Sequence, residues 1–135
     1  MPSKGQLDEF FKTEFPQADF IIQELGERSA VVKKEISHQH LRPGGTVSGP
    51  TMMEVADTAL YVAILNEIGL VALAVTTNLN INFLRKPTAN KDIIGECRLI
   101  KVGKSLIVGD VFLYSEGMAE PIAHATGTYA VPPNI

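Results

Sequence analysis

Cysteine is nearly absent from this chain: Cys97 is the only one in 135 residues. One thiol cannot close an intrachain disulfide, nor can it build a zinc cage on thiolates. It stands in an apparent strand, Gly95–Ile100, where a buried and inert thiol is the expected state. Histidine is almost as scarce, with His38, His40 and His124 alone, so no metal site is expected. His38 and His40 read as loop anchors and His124 as a packed sheet residue. Long apolar runs are missing too. The longest, Ala59–Leu65 and Leu70–Val75, fall far short of the roughly 20 residues that a membrane-crossing helix needs. The polar N-terminus, MPSKGQLDEFFKTEF, does not read as a signal peptide, so a cytoplasmic location away from membranes is expected. Positive charge is not in excess either. With a net charge of −3, a nucleic-acid backbone gains nothing from the overall field, and nucleic acid is not an expected partner.

What remains is ordinary globular material, 45% hydrophobic and 20% charged, enough for one domain over residues 1–135 with a proper core. Leu7–Phe15 has the spacing of a short amphipathic helix that Pro16 ends. Phe20–Leu25 and Ser29–Ile36 read as strands joined by a turn at Gly26–Glu27. A loop rich in glycine and proline then runs from His38 to Pro50 into a long helix, Thr51–Ile68. Met52, Val55, Ala56, Ala59, Leu60, Ala63 and Ile64 make that helix apolar around most of its circumference, so it should be buried. Pro50 suits its start and Gly69 its end. Val71–Leu84, Ile93–Val102, Ser105–Ser115 and Ile122–Val131 are rich in β-branched residues and read as strands, with Gly103–Lys104 as a tight hairpin turn. The expected class is α+β, a curved antiparallel sheet wrapped around one long central helix.

Chemistry concentrates where the loop meets that helix. Glu54, Asp57 and Tyr61 are three and four residues apart and share one helical face. A carboxylate in such apolar surroundings is costly unless it has partners or a task, and Asp57 is placed to act as a general base or nucleophile. Gly49 lies at the helix start, where unpaired N–H groups and the dipole favour negative charge, as on a developing oxyanion. Gly49 and Asp57 are eight residues apart, a spacing expected to set a donor and a carboxylate around one small volume.

The segment SGPTMMEVADTAL, followed by TTNLNINFLRKP, resembles the hotdog-fold acyl-CoA thioesterases of the phenylacetic-acid-degradation (PaaI-like) type. The resemblance implies a hotdog fold and hydrolysis of an acyl-CoA thioester without a cofactor, CoA being part of the substrate. It implies that the Gly49 N–H polarises the thioester carbonyl and that Asp57 activates water or attacks directly. It implies a helping hydroxyl, Thr76 or Thr77, from a second subunit, and basic contacts to CoA from Arg85, Lys86 and Lys104. It further implies a homodimer, with dimers pairing into a homotetramer. Two positions depart from the family pattern: Arg42 stands where an Asn is usual and Ser48 where a His is usual. A hotdog hydroxyacyl-thioester dehydratase offers another match, since His40, Gly49 and Glu54 have that family's spacing. A non-catalytic acyl-CoA-binding hotdog protein is a third reading, suggested by Arg42 and Ser48.

Overall fold

The structure, a computed structural model, describes residues 2–133; the ends of the expected domain, residues 1, 134 and 135, lie outside them. The chain opens with helix α1 (Lys4–Glu14), whose Ser3 cap accepts from the Gln6 N–H. Strands β1 (Ile21–Gly26) and β2 (Ser29–Lys34) follow, then a 3-10 turn at His38–His40 and helix α2 (Gly49–Ile68). Strands β3 (Val75–Phe83), β4 (Ile93–Val102), β5 (Leu106–Ser115) and β6 (Ala123–Ala130) complete the chain. The six strands form one sheet in the order β1-β2-β4-β5-β6-β3, antiparallel throughout. One buried helix in an antiparallel sheet is the expected α+β hotdog architecture.

Strict alternation of burial along β2, β5 and β6 gives the sheet one inward face, and α2 lies against it. Small residues allow the close approach. Gly109 and Gly127 are cross-strand partners, and Leu60 of α2 is packed over both. A Cβ on Gly127 would sit 2.5 Å from Leu60 Cδ2, and one on Gly109 would sit 2.7 Å from Leu60 Cδ1. From Ala59 to Asn66 every α2 residue is buried, so its C-terminal half is enclosed. Its N-terminal half keeps an open stripe through Pro50, Met53, Glu54, Asp57 and Thr58.

Element boundaries differ from the sequence reading in informative places. Helix α2 begins at Gly49 rather than Thr51, because the Ser48 hydroxyl caps the Thr51 N–H and makes Pro50 the second helical residue. Gly69, at φ +103°, ends it with an N–H bond to the Leu65 carbonyl. Strand β3 starts at Val75, not Val71, since residues 71–74 turn, with the Ala74 N–H bonded to the Val71 carbonyl. Strand β3 is also a sheet edge, and Val75, Phe83 and Leu84 beside it are exposed. No described helix is long and apolar enough to cross a membrane.

Candidate active site

Asp57 lies eight residues into α2, on the open stripe. Its Oδ1 accepts two hydrogen bonds, from Thr76 Oγ1 at 2.7 Å and from the Tyr129 hydroxyl at 2.9 Å. Tyr129 is buried on β6. Burial holds its hydroxyl well above the usual tyrosine range, and the Asp57 charge adds to the effect. It is therefore a fixed donor. Asp57 Oδ2 has no hydrogen-bond partner among the described residues. No buried side-chain oxygen there lacks a partner, so Oδ2 is open to the cleft. One carboxylate oxygen is pinned and the other is free to take a proton or to attack.

A β-bulge decides which threonine serves Asp57. Strand β3 pairs with β6 at Thr76↔Tyr129 and Asn78↔Thr128, leaving Thr77 as the extra residue. Such an insertion reverses the alternation of side chains along a strand. Thr76 is thereby turned to the face of Asp57 and Tyr129, while the Thr77 hydroxyl donates to the Thr128 carbonyl. The resemblance implied a hydroxyl from a second subunit; the Thr76 hydroxyl that meets Asp57 is on the same chain.

The cleft around Asp57 has a volume of about 560 Å³. Helix α2 contributes Glu54, Asp57, Thr58 and Tyr61, and Ala72, Ala74, Val75 and Thr76 with Tyr129 close a second side. Phe11, Phe15 and Phe20 of the N-terminal segment form a third. Tyr61 stacks on Tyr129, with centroids 5.5 Å apart, and its hydroxyl donates to the Ala72 carbonyl. Burial, with help from Glu14, pushes the Tyr61 hydroxyl up to about 12.

Gly49 belongs to a different cleft, of about 620 Å³, shared with Arg42, Thr46, Met52, Phe83 and Lys86. Its N–H donates to no acceptor among the described residues, so the helix-terminal donor is available. Its distance from Asp57 corrects the sequence reading. Eight residues of α-helix rise about 12 Å, and the two groups line separate clefts of one chain rather than one small volume.

Ser48 is the α2 cap, with its hydroxyl against Thr51 Oγ1 at 2.9 Å. Arg42 is exposed at the rim of the Gly49 cleft. Arg85 lines the same cleft, but its guanidinium is paired with Glu120 at 2.7 Å and donates to the Pro121 carbonyl. Lys104 lies elsewhere, in the hairpin beside Ile68 and Val71 at the far end of α2.

The residues of the dehydratase reading have other contacts. Glu54 pairs with Lys34 at 3.1 Å. The His40 Nδ1 accepts from the Ser37 N–H, and His40 lines neither cleft. Cys97 is buried, and burial pushes its thiol up to about 12. His124 packs on Phe112 and bonds Asp110 at 2.9 Å on the sheet.

Sequence reasoning missed Tyr129, Lys34 and the three phenylalanines. Tyr129 carried one usable signal: alternation along Ala123–Ala130 puts it on the inward face with Ala123, Ala125 and Gly127. A hydroxyl on such a face needs a buried acceptor.

Residues 44–122 match the model of the thioesterase superfamily. Among solved structures, a candidate thioesterase from Silicibacter sp. TM1040 is 44% identical, with a TM-score of 0.89 over 97% of this chain and 92% of that one. The PaaI protein of the phenylacetic acid degradation operon of E. coli is 25% identical, with a TM-score of 0.74 over 91% and 88%. A hypothetical thioesterase protein from Streptococcus pneumoniae, solved with coenzyme A, is 19% identical, with a TM-score of 0.77 over 93% and 96%. No curated protein matches the chain.

Proposed function

The chain belongs to the thioesterase superfamily, and on that premise we propose that it hydrolyses acyl-CoA thioesters, with Asp57 as the acting group. The observation that carries this reading is the state of that carboxylate: Oδ1 held by Thr76 and Tyr129, and Oδ2 open to an apolar cleft. A base must be held still against its target and keep one oxygen unengaged. Oδ2 takes a proton from water as the water oxygen attacks the thioester carbon, or attacks that carbon itself. The tetrahedral intermediate then collapses and expels the CoA thiolate; where Oδ2 is the nucleophile, water next hydrolyses the acyl anhydride formed on Asp57, releasing the carboxylic acid and restoring the carboxylate. The acyl group occupies the Asp57 cleft. The CoA portion runs toward the basic rim of the Gly49 cleft, where Arg42 and Lys86 stand. The CoA-bound relative supports that choice of thiol.

A donor for the oxyanion must come from close by, and within one chain the Gly49 N–H is about 12 Å of helix away from Asp57. The active unit is therefore a homodimer in which Gly49 of one copy meets Asp57 of the other, with dimers pairing into a tetramer. Strand β3 supports this arrangement, because an exposed apolar sheet edge is a natural seam between two copies. Mixing tests it. Gly49→Pro removes the N–H while its added Cβ meets Phe83 at an ordinary contact distance of 3.4 Å, and Asp57→Asn removes the base; each is expected to be folded and inactive alone. Mixed dimers contain one intact composite site of two, and since random re-association of equal amounts makes half the dimers mixed, the mixture should recover about a quarter of wild-type activity. No recovery on mixing would remove the composite site.

The activity itself is tested by free-thiol release across a panel of acyl-CoAs. Thiol release is expected. Hydration of a 2-enoyl-CoA that needs His40 and Glu54, without thiol release, would overturn it in favour of the dehydratase. Binding without turnover would favour the non-catalytic protein.

A further inference from the structure

The Asp57 cleft has a wall that the family match does not account for. Phe11, Phe15 and Phe20 precede residue 44, where the superfamily match begins. Their rings form a connected series. Phe20 meets Phe11 edge-on at 4.9 Å, and Phe11 and Phe15 each meet Tyr61 edge-on at 5.6 Å. Tyr61 stacks on Tyr129, which holds Asp57. The wall is thus in register with the acting carboxylate through two intermediate rings.

It is also latched in place. Lys34 on β2 is buried, and its ammonium donates to the Asp19 carbonyl at 2.8 Å while pairing with Glu54 on α2. One cation therefore ties the segment before Phe20 to the strand and helix that frame the cleft. Leu7 and Phe11 anchor α1 in the core. The Lys34–Glu54 pairing leaves Asp57 as the uncompensated charge of the cleft. Asp57 and Glu54 line it, and no Lys, Arg or His does among the described residues.

We propose that residues 4–20 form a specificity element of this site, the aromatic wall selecting neutral, apolar acyl groups and excluding acyl groups that end in a carboxylate. The inference rests on the thioesterase reading for its reaction. A carboxylate-terminated acyl chain would lose its hydration against rings and meet the Asp57 charge, while the Lys34 ammonium beside Glu54 is already engaged by Glu54 and the Asp19 carbonyl. Phe15 sets the length limit, because, unlike the buried Phe11, it is half-buried, and, unlike Phe20, it meets Tyr61 edge-on. Lys34 is a positioning residue.

The test compares kcat/KM for straight-chain acyl-CoAs of increasing length, and for matched acyl-CoAs bearing a terminal carboxylate. Wild type, Phe15→Ala and Phe15→Arg are used, with melting curves recording that each is folded. Wild type should favour the neutral member of each pair by about a hundredfold or more. In Phe15→Ala the ratio of long to short chains should rise by about tenfold. In Phe15→Arg the gap between neutral and carboxylated substrates should narrow by at least as much. The same ratios in all three proteins, or a uniform loss across substrates, would overturn the wall. If wild type releases no thiol, calorimetric binding of non-hydrolysable acyl-CoA thioethers reads the same ratios. Phe15-dependent ratios there keep the wall while hydrolysis falls; Phe15-independent ratios, or no binding, remove the wall as well.

Discussion

Replacing Tyr129 by phenylalanine deletes one oxygen and little else. The ring can keep its stacking on Tyr61 at 5.5 Å, while Asp57 Oδ1 loses the donor now at 2.9 Å. A hydrogen bond to a charged group is worth about 1.5–3 kcal/mol, and about 1.4 kcal/mol corresponds to a tenfold change in rate. Thr76 still holds the same oxygen at 2.7 Å, so the low end of that range applies. Tyr129→Phe should lower kcat/KM for thiol release about tenfold, mainly through kcat, because the carboxylate loses alignment rather than affinity for substrate. Thr76→Val should have a similar effect. The double variant strips both donors from one oxygen, and its loss should exceed the product of the two single losses, bringing activity close to that of Asp57→Asn. Colorimetric thiol detection supplies the rates, and circular dichroism with thermal melting shows that each variant is folded. A folded Tyr129→Phe enzyme at wild-type kcat/KM, or a double variant no slower than either single one, would refute the view that this pair of donors holds Asp57 for catalysis.

Other expectations concern the frame. Gly127→Ala would put a methyl group 2.5 Å from Leu60 Cδ2, and overpacking of this kind costs about 1–3 kcal/mol. Adding Leu60→Ala should relieve part of that cost, so that the two changes sum to less than their separate effects in urea melts. Glu54→Gln should lower stability by about 1 kcal/mol, a value reduced by the exposure of Glu54, because the buried Lys34 ammonium loses its counter-charge. It should still release thiol far faster than Asp57→Asn, whereas abolished activity would point to Glu54 as the acting carboxylate. Alkaline pH should destabilise the fold in a defined order. The Cys97 thiol is held at about 12 by burial, against 9.0 when exposed. Above pH 9 the unfolded chain releases this proton and the folded chain does not, so stability falls by about 1.4 kcal/mol per pH unit. The stability contribution is complete below pH 9 and is lost as the pH rises toward 12. Tyr129, likewise raised, adds to the decline above pH 10. A flat denaturant midpoint from pH 8 to 11 would contradict this burial.

The fold was largely legible because its elements announce themselves locally. Helix α2 is apolar nearly all round, and β4 reads as Ile93–Val102 both in the sequence pattern and in the structure. Asp57 was legible for the same reason: a carboxylate inside an apolar helix is conspicuous. Its partners were not, because they depend on pairings over long separations. Tyr129 is 72 residues away, and only the full strand order brings it beside the helix. The choice between Thr76 and Thr77 turned on a bulge that moves the strand by one residue, and nothing in Thr-Thr-Asn specifies it. Spacing alone groups Gly49 and Asp57, although helical rise separates them within one chain. The aromatic wall was present in the sequence as an amphipathic helix, but amphipathicity says only that a face is covered. It does not say that the covered face borders a site.

If Asp57 performs the chemistry, the decisive quantity is kcat/KM of Asp57→Asn on the best acyl-CoA substrate. The amide can still accept the bonds from Thr76 and Tyr129, so the fold should persist with an unchanged melting temperature. Thiol release should drop by about a hundredfold or more. A folded Asp57→Asn protein that releases thiol at the wild-type rate would mean that another group performs the chemistry.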